Sequence, residues 1–215
     1  MIEFEEYLLF AVLPIAAYAL DALLGEPPRL VHPTVAMGKL CEVFKRVLKR
    51  RRGVLAKALG AALWLMVVSS SCVAAYALMW AAKELVGWVG LVLAAVYLLK
   101  CSFAVRDMEE HILPVAHALR SGNLSLARKL VAKVVRRPVD SLDEELVASA
   151  AIETTAEGFV DGFASPLFYY PLLGVLGALA YRAVNTLDSE VGYRNELYRD
   201  VGWFSAKADT VANYL

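Results

Sequence analysis

The sequence predicts an all-α, polytopic integral membrane protein with amphipathic helices on the cytoplasmic side. Three observations carry that prediction. Hydrophobic residues make up 59% of the 215, and mean hydropathy is +0.53; ordinary soluble domains hold about 45–50% apolar residues. Apolar runs lie at 7–24, 54–82 and 85–105, each near the roughly 20 residues that cross a hydrocarbon core. Apolar residues then recur at helical spacing (Ile112, Val115, Ala116, Leu119, and later Leu126, Leu130, Val134) in an otherwise polar stretch. One domain over residues 1–215 accommodates all of this.

The first run is interrupted only by Pro14 and Asp21. It begins MIEFEEY, acidic where a secretory signal would be basic. Gly25, Pro27, Pro28 and Pro33 then set an ordered turn. The basic residues Lys45, Arg46, Lys49, Arg50, Arg51, Arg52 and Lys57 come next. Such a run beside a membrane segment favours the cytoplasm, and it also attracts anionic lipid. Runs two and three are joined by little more than Lys83 and Glu84, which predicts a helical hairpin. Net charge is zero, with 22 basic and 22 acidic residues, so nucleic acid is not an expected partner. Cys41, Cys72 and Cys101 are far apart and show no metal-binding spacing.

From residue 106 to 137 the pattern predicts two short helices punctuated at Ser121-Gly122-Asn123 and stopped at Pro138. Ser141-Leu142-Asp143-Glu144 reads as a capping box with Ser141 as the cap. The next helix places Glu153 and Glu157 on one face, with Asp161 continuing the stripe if the helix persists past Gly158. Like charges at that spacing repel, so a cation is expected, and magnesium suits clustered carboxylates beside phosphate chemistry. Residues 163–184 are apolar but carry Pro166, Pro171, Gly174 and Gly177, which predicts a broken or re-entrant element rather than a span. A clean span would put a bilayer between Glu157 and Asp188. Beyond it come Arg182, Asn185, Thr186, Asp188, Tyr193, Arg194 and Tyr198, then Asp209 and Asn213 four apart on a last helix.

Three stretches resemble the adenosylcobinamide-phosphate synthases, the CobD/CbiB family. They are DALLGEPPRLVHPTVAMGKL, SLDEELVASAAIETTAEGFVDGFASPLF and AYRAVNTLDSEVGYRNELYRDVGWFSAKADTVANYL, in the family's order over nearly the whole chain. The resemblance implies a multi-pass cell-membrane enzyme of cobalamin biosynthesis. It joins the carboxyl of adenosylcobyric acid to aminopropanol or its phosphate, with ATP and magnesium, and the corrinoid is substrate. Carried over by motif, Asp21, Glu26, Pro27, His32 and Pro33 match the first stretch. Asp143, Glu144, Glu153, Glu157, Asp161, Pro166 and Phe168 match the second. Arg182, Asn185, Thr186, Asp188, Gly192, Tyr193, Tyr198, Asp209 and Asn213 match the third. The chain departs from the family at Gly158-Phe159 and at Arg136-Arg137-Pro138-Val139, and it ends at Leu215 where members continue into another apolar segment.

The residue types suit the implied chemistry. Activation of a carboxylate by phosphoryl transfer depends on positioning and on neutralising phosphate charge. Glu153, Glu157, Asp161 and Asp188 are the expected magnesium ligands; Arg182 and Arg194, with Arg137 further off, are expected to clamp phosphate. Glu153, Glu157, Asp188 and Asp209 are the expected catalytic carboxylates, Asp209 or Asp188 taking the ammonium proton. His32 is an alternative base. Asp21, Glu26, His32, Arg182, Asn185, Thr186, Tyr193, Arg194, Tyr198 and Asn213 are expected to line the substrate. No phosphate-binding loop of the GxxxxGK[ST] kind occurs. Membrane lipid, a second copy, and other cobalamin-pathway membrane enzymes are the expected partners. Two other readings stay open: a small-molecule transporter component, and a catalytically inactive binding or sensory relative.

Overall fold

A computed structural model describes residues 2–48, 51–193 and 196–214. The elements are α1 (Ile2–Leu24), α2 (Pro33–Leu48), α3 (Val54–Val86), α4 (Trp88–Lys100), α5 (Val105–Arg120), α6 (Leu124–Val131), α7 (Glu144–Phe159), α8 (Ser165–Val191) and α9 (Trp203–Ala212). A single π-turn, Val160–Ala164, joins α7 to α8. No strand occurs among the described residues. Three stretches are long and apolar enough to cross a membrane: Val54–Val86, Trp88–Arg120 and Glu144–Val191.

α1 is helical from Ile2. The boundaries correct the sequence reading in three places. The second apolar helix runs on to Val86 and turns at Gly87, whose φ of +70° is a conformation other residues avoid. The third stops at Lys100, not 105. There a turn at 101–104 lets Ala104 N–H reach the Gly162 carbonyl at 2.9 Å, pinning the start of α5 to the π-turn. Finally, α7 is capped by Asp143, whose carboxylate accepts Leu146 N–H at 2.9 Å, and not by Ser141. Ser141 lies inside the Val139–Leu142 turn, which leaves Asp143 at the edge of the helix.

Residues 163–184 form no straight helix. α8 reverses at Gly174 (φ +65°, ψ −155°), a region open essentially to glycine alone. The two arms come so close that a Cβ on Gly177 would stand 2.5 Å from the Tyr169 carbonyl. The rings of Tyr169 and Tyr181 stack across the arms, with centroids 5.4 Å apart. The first arm, Ser165–Leu173, is only roughly 13 Å long at 1.5 Å per residue.

Two cores result. The larger, with Ala17, Val67, Leu99, Ala178 and Leu187 at its centre, is built by α1, α2, α3, α4 and α8. The smaller joins the amphipathic faces of α5, α6 and α7 through Val115, Ala127, Val131 and Val147. The break expected at 121–123 is present, and Asn123 caps α6 by accepting Leu126 N–H at 3.0 Å. The C-terminal ends of α1, α4 and α8 and the start of α3 meet at one end of the bundle. Lys100 there contacts Asp21, and Gly53 N–H donates to Asp200.

Candidate functional site

Three polar groupings occupy that end. In the first, Asp21 is fully buried. One of its oxygens accepts Arg106 N–H at 3.0 Å at the start of α5, where a carboxylate suits the helix dipole. The other lies 3.3 Å from the buried Lys100 ammonium. Lys100 also donates to Glu26 at 3.2 Å. His32 Nε2–H donates to the same Glu26 oxygen at 2.5 Å, while His32 Nδ1 accepts Thr34 N–H at 3.1 Å. Burial raises the Glu26 carboxyl, but the His32 hydrogen bond and the Lys100 charge outweigh it and hold the group below its ordinary value. Both ring nitrogens of His32 are engaged, so the structure makes it a brace for the loop and not a free base.

The second grouping is a pair of adjoining cavities between α5, α7 and the second arm of α8. One, of about 470 Å³, is lined by Asp107, His111, Lys133, Asp161, Arg182 and Ser189. The other, of about 430 Å³, is lined by Arg136, Arg137, Glu153, Glu157 and again Ser189. Glu157 and Ser189, next to Asp188, therefore face one space; the intervening chain does not carry them to opposite sides of a membrane. The cation expected beside Glu153 is Arg137, at 2.8 Å.

The third grouping lies where α8 meets α9. Asn213 bridges two carboxylates, its amide donating to Asp209 at 3.2 Å and to Asp161 at 3.4 Å. The Ser165 and Tyr181 hydroxyls donate to the Asn213 carbonyl oxygen at 2.9 and 2.7 Å. Asp209 is pushed up to about 6 by burial, then by the charges of Asp188 and Asp161, against hydrogen bonds from Asn213 and Asn185. Its Oδ1 is buried and has no partner.

The predicted carboxylates divide between the second and third groupings. Glu153 and Glu157 line one cavity and Asp161 the next, where Asp161 also accepts from Asn213 and Tyr181. The π-turn begins at Val160, and one extra residue there rotates the α8 that follows by about 100°. Among the described residues no three His, Cys, Asp or Glu side chains are placed to hold a metal ion.

Other expected residues take varied positions. Arg182 lies among Glu26, Asp161 and Asp107, linking the first and third groupings, and its Nε is buried without a partner. Thr186 spends its hydroxyl on the Arg182 carbonyl at 2.7 Å. Tyr193 lies under the Arg136 guanidinium, 4.5 Å from the ring centre. Tyr198 is near Lys45 of α2. Arg194 falls outside the described residues. Sequence reasoning passed over Lys100 and Lys133, and met Arg136 only within the departure at 136–139. A lysine closing the apolar run before Cys101 was the available signal for the first; no comparable signal marked Lys133.

The fold and these groupings define an all-α membrane protein with a charge-lined site at one end of its apolar bundle. The chain belongs to the CobD/CbiB family: the family model described as CobD/Cbib protein matches residues 14–215. It is 40% identical over 206 residues to the cobalamin biosynthesis protein CobD of Halalkalibacterium halodurans, covering 94% of this chain and 62% of that one. It is 39% identical to the probable cobalamin biosynthesis protein CobD of Pyrococcus furiosus, over 94% of this chain and 68% of the relative. The corresponding protein of Thermoplasma acidophilum is 35% identical, over 95% and 66%. The chain thus spans between 62% and 68% of the length of these relatives. No solved structure matches it at a significant level.

Proposed function

We propose that this chain acts in cobalamin biosynthesis, forming an amide between the carboxyl of a corrinoid acid and the amine of aminopropanol or its phosphate, at the expense of ATP. Its relatives' names support the pathway. The observation that carries the chemistry is Asp209: a half-buried carboxyl raised to about 6, with one oxygen unpartnered, facing two further carboxylates. Such a group takes an ammonium and then its proton, because a base is most effective with its pKa near the working pH.

In this reading the corrinoid carboxylate attacks the γ-phosphorus of ATP and ADP leaves, giving an acyl phosphate. The amine, having lost one proton to Asp209, attacks the acyl carbon; phosphate leaves and the amide remains. Lys133, Arg136 and Arg182 line or overhang the cavities and balance phosphate charge. In this reading magnesium enters as the nucleotide's own complex, a substrate, since no three of the described acids are placed together to hold it. The site lies on the cytoplasmic side, since it shares its end of the bundle with the basic segment before α3.

The test is direct. Detergent-purified protein is given corrinoid acid, aminopropanol phosphate, ATP and magnesium, and the amide is sought by mass spectrometry. Turnover that falls on replacing Asp209 supports the reading. Corrinoid binding with no amide formed, under conditions where a full-length relative turns over, defeats it.

A further inference from the structure

Two stretches far apart in sequence bring basic side chains together at the mouth of α3. Arg51 and Arg52 precede the helix and Arg199 comes from the turns before α9; with Glu196 and Asp200 they line a cleft of about 280 Å³. A second cleft of about 280 Å³ shares Arg199 and is lined by Lys207, Tyr193 and Trp203. Lys57, one turn into α3, places its ammonium 5.3 Å from the Trp203 ring centre. Among the described residues, Arg51, Arg52, Arg199 and Lys207 line the two clefts and Lys57 stands beside them, against the carboxylates of Glu196 and Asp200. Those two are partly occupied: Asp200 accepts Gly53 N–H at 2.8 Å, and Glu196 stands 3.8 Å from Arg52.

Depth decides what such a cleft meets. Val54 and Leu55 open the longest apolar helix and are 85% and 65% exposed. The cations thus sit where the surface turns from apolar to polar. Trp203, 46% exposed, stands at the same level, as amphipathic rings do at a headgroup boundary.

We propose that this double cleft binds the headgroup phosphate of an anionic phospholipid. Guanidinium groups meet a phosphodiester through paired hydrogen bonds. The tryptophan lies at glycerol depth, and the acyl chains run along the exposed start of α3. A soluble phosphate compound would use the cations but would leave that apolar rim uncovered, so the lipid is the better fit.

The experiment reads lipid retention and is independent of turnover. The protein in neutral detergent is offered equal amounts of phosphatidylglycerol and phosphatidylcholine, and bound lipid is counted by native mass spectrometry. Wild type is expected to retain phosphatidylglycerol preferentially, each basic residue contributing about fivefold. Arg52→Gln/Arg199→Gln/Lys207→Gln is expected to abolish the preference. Arg120→Gln/Lys129→Gln, which removes exposed charges on α5 and α6, is expected to keep it. Equal retention of both lipids by wild type overturns the proposal, as does a preference that survives the triple substitution or falls equally in the double one. Displacement of phosphatidylglycerol by millimolar MgATP also overturns it, by assigning the cleft to a soluble ligand. Should the triple variant fail to fold, Lys207→Gln alone, at an exposed position, is expected to lower the preference about fivefold.

Discussion

The loop network around Lys100 and the carboxylates around Asp209 both bury acidic groups near the membrane, yet they are built oppositely. Around Lys100 the acids are matched: Asp21 and Glu26 share the ammonium, Asp21 also takes Arg106 N–H, and His32 holds Glu26. Asp209 itself is met by the amides of Asn213 and Asn185 and by the like charges of Asp188 and Asp161, while the cations Arg182 and Arg136 act on those two neighbours. A matched network holds chain segments in register. An unmatched one favours a cation arriving from outside. The first therefore reads as scaffold and the second as the place where a substrate ammonium is received.

The largest expected effect falls on the matched side. Lys100→Met strands Asp21 as a buried, uncompensated charge, and breaking such a pair costs about 3–5 kcal/mol. Thermal unfolding in detergent should show a large fall in Tm, partly restored by adding Asp21→Asn. An unchanged Tm would erase the contrast between the two regions. On the unmatched side, Asp209→Asn should lower kcat by about 10²-fold or more with Tm unchanged or higher, because repulsion is relieved. A fall in Tm would make Asp209 a structural residue after all.

Two predictions sharpen the picture with smaller effects. Gly174→Ala forces a side chain into the glycine-only turn and should cost about 1–3 kcal/mol, read again as a lower Tm. The pH dependence of Asp209 has a definite sign. Its folded value, about 6, lies above the ordinary value of 3.8. Its contribution to stability is therefore complete below about 4 and is lost as the pH rises through about 6. Activity should run the other way, rising through the same pH as the base form appears. Asp209→Asn should flatten the stability profile in that window. The smallest effect belongs to Arg137→Gln: its pair with Glu153 is half-exposed, and such pairs contribute about 0–1 kcal/mol.

Much of this molecule is legible in the sequence. Hydropathy locates the α3/α4 hairpin, periodicity locates α5 and α6, and turn residues mark 121–123 and Pro138. The motif stretches point to Asp21, Glu26, Asp161, Asp188, Asp209 and Asn213. Boundaries such as Lys100 and Asp143 are less legible, because a helix end is settled by whichever hydrogen bond the surrounding structure supplies. Ala104 N–H finding the Gly162 carbonyl is one such case.

The amino-acid order by itself determined that the chain is helical and apolar and carries its acids in a few short stretches. Spacing of 3.6 residues and burial of apolar surface are local demands that any neighbouring structure must meet. Tertiary structure alone decided which acids share a site. One extra residue in the π-turn rotates α8 against α7, and one reversal at Gly174 returns the chain so that Tyr181 and Asp188 lie beside α9. Both are shifts of direction rather than composition, and direction becomes visible only when helices pack.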